Sequence, residues 1–295
     1  MKLKSEKRHD MLAIDRMEID DVGANPIKLA SAIVDQLPNQ NISVPIREIA
    51  KALDIVEIRE EELNGLEGAL IAPEHKSNGL IVVRSTMGEL RKRFTIAHEL
   101  GHYVNPTHKI IGPDGFQCSP KNMLAADLQA KNRYIRQEAE ANEFAAELLM
   151  PRAWVREFLK KRHSVDLNHV VDMSKHFQVS KEAAARKYLQ YIDEPAALIF
   201  YSASKIRYCI SNNDFPRLNV WNRHPLPTTS QACRLLGQRA VSSWEEVLED
   251  VWIDGQINGE LFEQTLSQKN GFGITLIMIE NLDEPEVILD EPRFK

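Results

Sequence analysis

The spacing of apolar residues predicts that helices dominate the first two thirds of the chain. Apolar positions recur every three or four residues, the period of an amphipathic helix, in six segments: residues 26–37, 44–55, 87–104, 132–150, 152–162 and 166–191. Pro38 and Pro151 directly follow two of these segments, and proline cannot continue a helix. In the same region, GLEGALIAP and GLIVVR flank the polar turn EHKSN, which is typical of two strands.

From residue 195 onward the pattern changes to short β-type runs. AALIFYS, IRYCIS and ITLIMIE predict strands, and helical spacing remains only around residues 230–237, 244–251 and 260–267. We therefore expect an α+β protein with four parts. These are an N-terminal arm at residues 1–25, a mixed domain at 26–152, a helical segment at 153–192 and a C-terminal α/β domain at 193–295.

The composition is that of an ordinary globular protein and excludes several other classes. The 295 residues are 43% hydrophobic and 27% charged, and no apolar run approaches the ~18 residues of a membrane span. The N-terminus MKLKSEKRHD lacks the apolar core of a signal peptide. Three widely spaced cysteines do not form a disulfide framework. We expect a cytoplasmic protein without a membrane partner.

The net charge of −6 is spread unevenly along the chain. Residues 151–191 carry 9 basic and 4 acidic side chains, for a net charge of +5. Residues 1–150 carry 19 and 23, and residues 192–295 carry 9 and 16, so both are acidic, at −4 and −7. The whole chain is therefore not a general polyanion binder, although its basic segment is a candidate.

The stretch RFTIAHELGHYVNP contains the pattern H-E-x-x-H. On a helix, His98 and His102 lie one turn apart on the same face, so both imidazoles can reach one cation. Glu99 is rotated about 100° from that face and can take a proton from a water molecule. Two neutral imidazoles and a general base are what a zinc peptidase requires. Gly101 weakens the helix, which suggests that another element packs closely against it.

A catalytic zinc ion needs a third protein ligand, and the sequence offers two candidates. His108 would complete the spacing H-E-x-x-H-x-x-G-x-x-H, but that pattern needs a glycine where this chain has Asn105 before Pro106. The other candidate is Glu138, which lies at the edge of an apolar helical stripe in RQEAEANEFAAELLMP. Asn142, one turn further, can brace a metal-binding histidine.

Other polar residues near these motifs have simpler interpretations. Glu140, Glu143 and Glu147 fall on other parts of the second helix, and we expect them to be solvated. Cys118 lies in the loop between the two motifs, where a thiolate could cap the metal and silence it. A half-buried structural cysteine is the more common case.

The basic segment contains a helix, a short turn at Val179-Ser180, and a second helix. This pattern resembles a helix-turn-helix (HTH), and if it binds DNA, Lys181, Arg186 and Lys187 are the first candidates. One such unit with few charges has a weak electrostatic footprint. We therefore favour a helical subdomain that completes the preceding domain or docks a protein.

The pairing of RFTIAHELGHYV with EAEANEFAAELLMP some forty residues later closely resembles the ImmA/IrrE-type zinc metallopeptidases of bacteria. VPIREIAKALDI, LEGAL and GLIVV fit the same pattern, so the resemblance covers about residues 26–152 and, more loosely, the basic helices that follow. It implies zinc bound by His98, His102 and Glu138, with Glu99 as the base. It also implies a compact gluzincin-like fold, with a helix pair around the metal and a small, partly antiparallel sheet above it.

The resemblance further implies an endopeptidase whose target is a helix-turn-helix repressor, the loss of which induces stress-response or mobile-element genes. The substrate would lie extended along an exposed strand, for which GLEGALI is the candidate because glycine allows close backbone approach. Some relatives carry a sensor-like domain after the peptidase, so residues 193–295 are expected to receive a signal.

Two other functions remain open at this stage. One is a DNA-binding regulator that uses the basic helices at residues 166–191 and keeps a structural or vestigial metal site. The other is a general peptidase of small peptides.

Overall fold

The computed structural model describes four stretches of the chain: residues 12–38, 43–109, 116–118 (backbone only) and 132–280. Contacts divide the chain into two compact units. The first comprises Met1–His163 and Met173–Ser180, and the second comprises Ser164–Asp172 and Lys181–Lys295. Within the described stretches, no helix combines the length and the apolar character needed to cross a membrane.

Helices form much of the described part of the first unit. They are, in order, α1 (Arg16–Asp20), α2 (Pro26–Val34), α3 (Ile46–Ala52), α4 (Glu89–Val104), α5 (Arg133–Leu149) and α6 (Arg152–Leu159). The side chain of Asn25 accepts a hydrogen bond from the Lys28 amide at the start of α2, and Asn132 accepts one from the Tyr134 amide at the start of α5. The predictions for α2 to α6 are confirmed to within one helical turn.

The N-terminal residues 12–25 are packed rather than loose. Helix α1 buries Ile19. The Arg16 guanidinium donates to the Tyr103 hydroxyl at 3.2 Å and to the Lys76 carbonyl at 3.2 Å. The expectation of a loosely attached arm is therefore wrong for this stretch, because a single short turn of helix has too few apolar positions to show a period.

A mixed sheet accompanies these helices in the first unit. Its strands are β1 (Ile55–Glu61), β2 (Gly68–Ile71), β3 (Gly79–Arg84) and β4 (Phe116–Cys118), in the order β1-β3-β2-β4. β1 runs parallel to β3, whereas β2 is antiparallel to both β3 and β4. The sheet is thus partly antiparallel, as the resemblance implies. The sequence did not predict β1, because charged side chains fill most of this exposed outer strand.

Strand β2 lies inside the sheet, so GLEGALI does not form its exposed edge. Residues 68–70 pair with β3 on one side and with β4 on the other. A peptide can add to a sheet only where backbone groups are unpaired. The prediction that a substrate lies along this strand is wrong for this arrangement, because a three-residue strand such as β4 is too short to be recognised from alternation.

Helices α4 and α5 pack against each other at close range. A Cβ atom added at Gly101 would lie only 2.9 Å from Cδ1 of Phe144, closer than side-chain atoms pack. Phe144 is 1% exposed, and Ala141 and Ala145 on the same helix are fully buried. The close packing expected at Gly101 is confirmed, and it sets the separation of the two helices that carry the candidate metal ligands.

The helices α7 (Leu167–Phe177) and α8 (Lys181–Tyr188) follow, with the predicted short turn between them. Contacts assign Met173–Ser180 to the first unit, and both the start of α7 and all of α8 to the second. Each part of α7 has its own buried apolar residues, such as Val170 in one and Phe177 in the other. The helical segment predicted at residues 153–192 is thus shared between the two units.

The second unit contains a five-stranded sheet in its described residues. Its strands are β5 (Ala196–Ser202), β6 (Lys205–Ser211), β7 (Glu245–Val247), β8 (Glu260–Ser267) and β9 (Phe272–Glu280), in the order β6-β5-β9-β8-β7. All neighbouring strands are antiparallel. The strands predicted for β5, β6 and β9 are confirmed. The predicted α/β architecture is wrong, because such a fold needs parallel strands joined by helices.

Two of the three helices predicted in this unit are also wrong. Residues 244–251 contain β7 and a short 3-10 turn, and residues 260–267 form β8, whereas α9 (Gln231–Arg234) is a helix as predicted. Leucine, glutamate and glutamine favour helices in isolation. β8 nevertheless pairs with β9 along its whole length, and that pairing overrides the local preference.

We expect Gly101→Val to lower the free energy of unfolding by about 1–3 kcal/mol, because the added side chain overpacks the contact with Phe144. Phe144→Ala alone should cost about 3–5 kcal/mol by opening a cavity. The double variant gives the valine room, so its loss should be smaller than the sum of the two single losses. Urea unfolding of the four proteins measures this, and additive losses would contradict the close packing of α4 on α5.

Candidate metal centre

Two histidines of α4 face each other in the interior of the first unit. His98 and His102 are 0% exposed, and their Nε2 atoms lie 3.1 Å apart. Burial lowers the pKa of His102 well below its usual value, and the nearby His98 ring acts in the same direction. A neutral imidazole has a lone pair available on one nitrogen, which is the form that binds a metal ion.

Glu138 of α5 meets this pair from the facing helix. Its Oε2 lies 3.4 Å from His98 Nε2, and its Oε1 lies 3.5 Å from His102 Nε2. One ligand atom from each of the three buried residues lies within 4.8 Å of the others. Of the two candidates for a third ligand, the structure therefore brings Glu138 to the facing nitrogens. Two imidazoles and a carboxylate could hold a divalent metal ion.

Asn142, one turn after Glu138, lies beside the other ring nitrogen of His98. The distance between Asn142 Oδ1 and His98 Nδ1 is 2.9 Å. A proton on Nδ1 can be donated to this amide oxygen, which leaves the lone pair of Nε2 directed at Glu138. The structure thus places Asn142 where the sequence suggests a brace, and it holds the orientation of one candidate ligand.

Glu99 is buried in the same region without joining the group of ligands. Neither of its carboxylate oxygens has a hydrogen-bond partner among the residues that the structure describes. Burial, followed by the negative charge of Glu138, raises the pKa of Glu99 well above its usual value. Burying a polar group without a partner is costly. These oxygens are therefore available to a water molecule or a substrate.

The backbone of β2 passes close to Glu99 at Gly68. A Cβ atom added at Gly68 would lie 2.9 Å from Glu99 Oε1 and 2.4 Å from Cγ2 of Thr95. A larger residue at this position would occupy the space next to the carboxylate. Gly68 thus provides room at the site, although β2 is not an open edge.

Lys76 is a residue of the site that the sequence does not reveal. Its Nζ donates to the carbonyls of His102 and Asn105, both at 2.7 Å, and so satisfies the C-terminal end of α4. Burial lowers the pKa of Lys76 to about 8. A lysine in the polar turn EHKSN is expected to be solvated, and no local signal marks it as a partner of helix carbonyls 26 and 29 residues away in the chain.

His108 and Glu140 lie on the outer side of His102. His108 Nδ1 is 3.0 Å from His102 Nδ1, and His108 Nε2 is 2.8 Å from Glu140 Oε2. Burial, with the charge of Lys76, lowers the pKa of His108 to about 3. The expectation that Glu140 is solvated is therefore wrong. It is also wrong for Glu147, which is 4% exposed and accepts a hydrogen bond from the backbone amide that follows Pro151.

The three basic candidates for DNA binding do not share one exposed face. Lys187 is 5% exposed, and the Arg186 guanidinium lies 5.6 Å from the ring centroid of Tyr208. Lys181 is partly exposed at the start of α8. DNA binding relies on cationic groups that reach the phosphates, so the burial of Lys187 does not favour a role for this residue.

The sequence suggests that the Cys118 thiolate could cap the metal, but this side chain lies outside the described part of the structure. Only the backbone of Cys118 is described, and it pairs with Gly68.

A buried pair of histidines with a carboxylate, next to a glutamate that lacks a partner among the described residues, defines a candidate metallohydrolase centre. Residues 55–188 match the family model of the IrrE N-terminal-like domain, Peptidase_M78, and this match includes both helices of the site. This match supports the resemblance to the ImmA/IrrE-type peptidases over that part of the chain. The family indicates a metallopeptidase.

Comparison with other proteins supports the fold more than the chemistry. A solved structure described as a Mycobacterium tuberculosis transcriptional regulator is similar, with a TM-score of 0.55 and 13% identity, over 94% of this chain and 85% of that chain. At this identity the similarity shows a common fold alone. No curated protein matches the chain.

We expect Glu138→Ala to weaken the binding of a divalent metal ion by more than about 100-fold. Removing a residue that only hydrogen-bonds a metal ligand already costs about 10–100-fold in affinity, and removing the ligand itself should cost more. Glu143→Ala removes the same charge from the same helix and is the matched control, with little change in affinity expected. Calorimetric titration of the metal-free proteins measures both values. If both variants lose the same metal affinity, the net charge of α5 determines the affinity and Glu138 is not a ligand.

Proposed function

We propose that this protein is a zinc-dependent endopeptidase with a gluzincin-like site. His98, His102 and Glu138 hold the zinc ion, and Glu99 is the general base. The observation that carries the proposal is the buried Glu99 carboxylate, which lacks a hydrogen-bond partner among the described residues and lies within one residue of a candidate ligand. A purely structural metal site has no use for such a group, whereas hydrolysis requires one.

The arrangement of the ligand atoms supports zinc. Catalytic zinc sites use imidazole nitrogens and carboxylate oxygens, and they keep a further position open. A tetrahedral ion with bonds of about 2.0–2.1 Å separates neighbouring ligand atoms by about 3.3 Å. In this protein the two Nε2 atoms lie 3.1 Å apart, and the Glu138 carboxylate approaches His98 Nε2 with Oε2 at 3.4 Å and His102 Nε2 with Oε1 at 3.5 Å, so these separations are close to that value with a different carboxylate oxygen facing each histidine.

The protein residues around the ligands supply the proton transfers. When bound, zinc supplies a Lewis acid that lowers the pKa of water to about 7 and polarises a peptide carbonyl. Glu99 takes the proton from the attacking water and passes it to the nitrogen of the leaving amine as the peptide bond breaks. Asn142 holds the His98 ring. Burial of the whole site strengthens these interactions by lowering the local dielectric.

The substrate that we propose is a helix-turn-helix transcriptional repressor, the cleavage of which induces stress-response or mobile-element genes. The family resemblance supports this target. Glu138 is 2% exposed, and His98, Glu99 and His102 are 0% exposed, so the surface of a folded substrate cannot contact them directly. Within a folded repressor, such a site would therefore cut at an accessible linker. A cytoplasmic location follows from such a substrate.

We expect Glu99→Gln to bind zinc like the wild type but to cleave its substrate about 10²–10⁴-fold more slowly, because an amide of the same size cannot accept the proton. A purified helix-turn-helix repressor is the test substrate, taken from the neighbouring genes if one is encoded there. Mass spectrometry of the products gives the rate and the cleavage site, and metal analysis of the same samples gives the zinc content.

The outcome also separates the alternative functions. The double variant Lys181→Ala with Arg186→Ala removes the two basic candidates that are not buried. If this variant loses gene regulation while Glu99→Gln retains it, the protein is a DNA-binding regulator and the peptidase proposal fails. If the wild type degrades unstructured peptides and leaves the repressor intact, the enzyme is instead a general peptidase.

A further inference from the structure

A line of three side chains leads outward from the candidate metal centre. His102 directs its Nε2 at His98 and Glu138, and its Nδ1 lies 3.0 Å from His108 Nδ1. On the other side of the His108 ring, Nε2 lies 2.8 Å from Glu140 Oε2. The line therefore runs from a candidate ligand through a second histidine to a carboxylate on α5.

Metal binding would determine which ring nitrogen carries the proton in each histidine along this line. His102 must present the lone pair of Nε2 to a metal ion, so its proton lies on Nδ1. This Nδ1–H can donate only if His108 Nδ1 accepts, which places the His108 proton on Nε2. The Nε2–H of His108 then donates to the Glu140 carboxylate, which only accepts when it is ionised. Each residue thus determines the tautomer of its neighbour.

The loop after α4 holds His108 in this position. Asn105 Oδ1 accepts from the amide and hydroxyl of Thr107, at 3.0 and 2.8 Å, and the Asn105 carbonyl accepts from the His108 amide at 3.3 Å. Asn105 Nδ2 donates to the Ala24 carbonyl at 3.0 Å, and Gln137 Nε2 donates to the Thr107 carbonyl at 3.2 Å. These hydrogen bonds connect the turn to the segment before α2 and to α5. The His108 side chain is fully buried.

The two histidine ligands consequently receive different support. His98 has the neutral amide of Asn142 as its partner. His102 has a histidine that is itself bound to a carboxylate. A hydrogen bond that ends on a negative charge increases the basicity of the imidazole and so strengthens its bond to a metal ion.

We propose that His108 and Glu140 are positioning residues of the metal centre, which hold His102 in the tautomer and orientation that bind zinc. This inference rests on the proposed zinc site, but it does not depend on the identity of the substrate. It gives His108 a role different from that of a third ligand.

The test measures the zinc affinity of the full chain in the absence of substrate, by competition with a chromophoric chelator. We expect His108→Leu and Glu140→Ala each to weaken binding about 10–100-fold, the usual effect of removing an outer partner of a metal ligand. His108→Asn should recover part of the loss, because its amide oxygen can accept from His102 Nδ1. Glu143→Ala is the matched control and should bind like the wild type.

A second measurement separates positioning from a general effect on the fold. With cobalt in place of zinc, the visible absorption bands report the geometry of the ligands. We expect these bands to shift in His108→Leu and Glu140→Ala and to stay unchanged in Glu143→Ala. Metal-free Glu140→Ala loses one hydrogen bond to the buried His108, so its melting temperature should fall by a few degrees at most and the protein should remain folded under the conditions of the titration.

Unchanged affinity and unchanged cobalt spectra in both variants would overturn the inference, as would an equal loss of affinity in Glu143→Ala. If His108→Leu does not fold, Glu140→Ala decides the question alone. Failure of the wild type to bind zinc would instead refute the proposed zinc site. If the variants change zinc affinity as expected but the wild type cleaves no repressor, the endopeptidase proposal is refuted and this inference still holds.

Discussion

The contact between Gly101 of α4 and Phe144 of α5 brings the two halves of the candidate metal centre together. Because Gly101 has no side chain, the helices approach closely enough for Glu138 to lie 3.4–3.5 Å from the nitrogens of His98 and His102. If the two helices lay further apart, the buried side chains of His98, His102 and Glu138 would lose their contacts with each other. Burying polar groups without such contacts costs considerable free energy. The chemistry of the site therefore depends on the packing of apolar side chains beneath it.

Hydrogen bonds around the centre offset part of the cost of burying so many polar groups. Asn142 contacts His98, and Lys76 binds the carbonyl at the end of α4. Nδ1 of His108 lies within hydrogen-bond distance of Nδ1 of His102. Glu99 lacks such a partner among the described residues. Proteins tolerate an uncompensated group of this kind mainly where function requires it, which is why this carboxylate carries the functional proposal.

The second unit depends on continuous strand pairing. β9 lies between β5 and β8 and pairs with both along most of its length, and its interior positions are buried. The sheet accommodates even Glu263, because Trp252 Nε1 donates to its carboxylate at 2.8 Å and the Gln231 amide donates to it as well. Satisfied polar groups of this type allow a strand to contain residues that would favour a helix in isolation.

The sequence by itself determined the helices and strands with a clear apolar period, and it identified His98, His102, Glu138 and Asn142 as candidates for one site. It could do so because helical spacing states which side chains share a face, and the pairing of two motifs indicated which helices meet. The sequence did not reveal the contact of His108 and Glu140 with the site, the position of Lys76, or the inner place of β2. These features join a loop, a turn or a short strand to distant elements, and only tertiary hydrogen bonds and strand order decide such contacts.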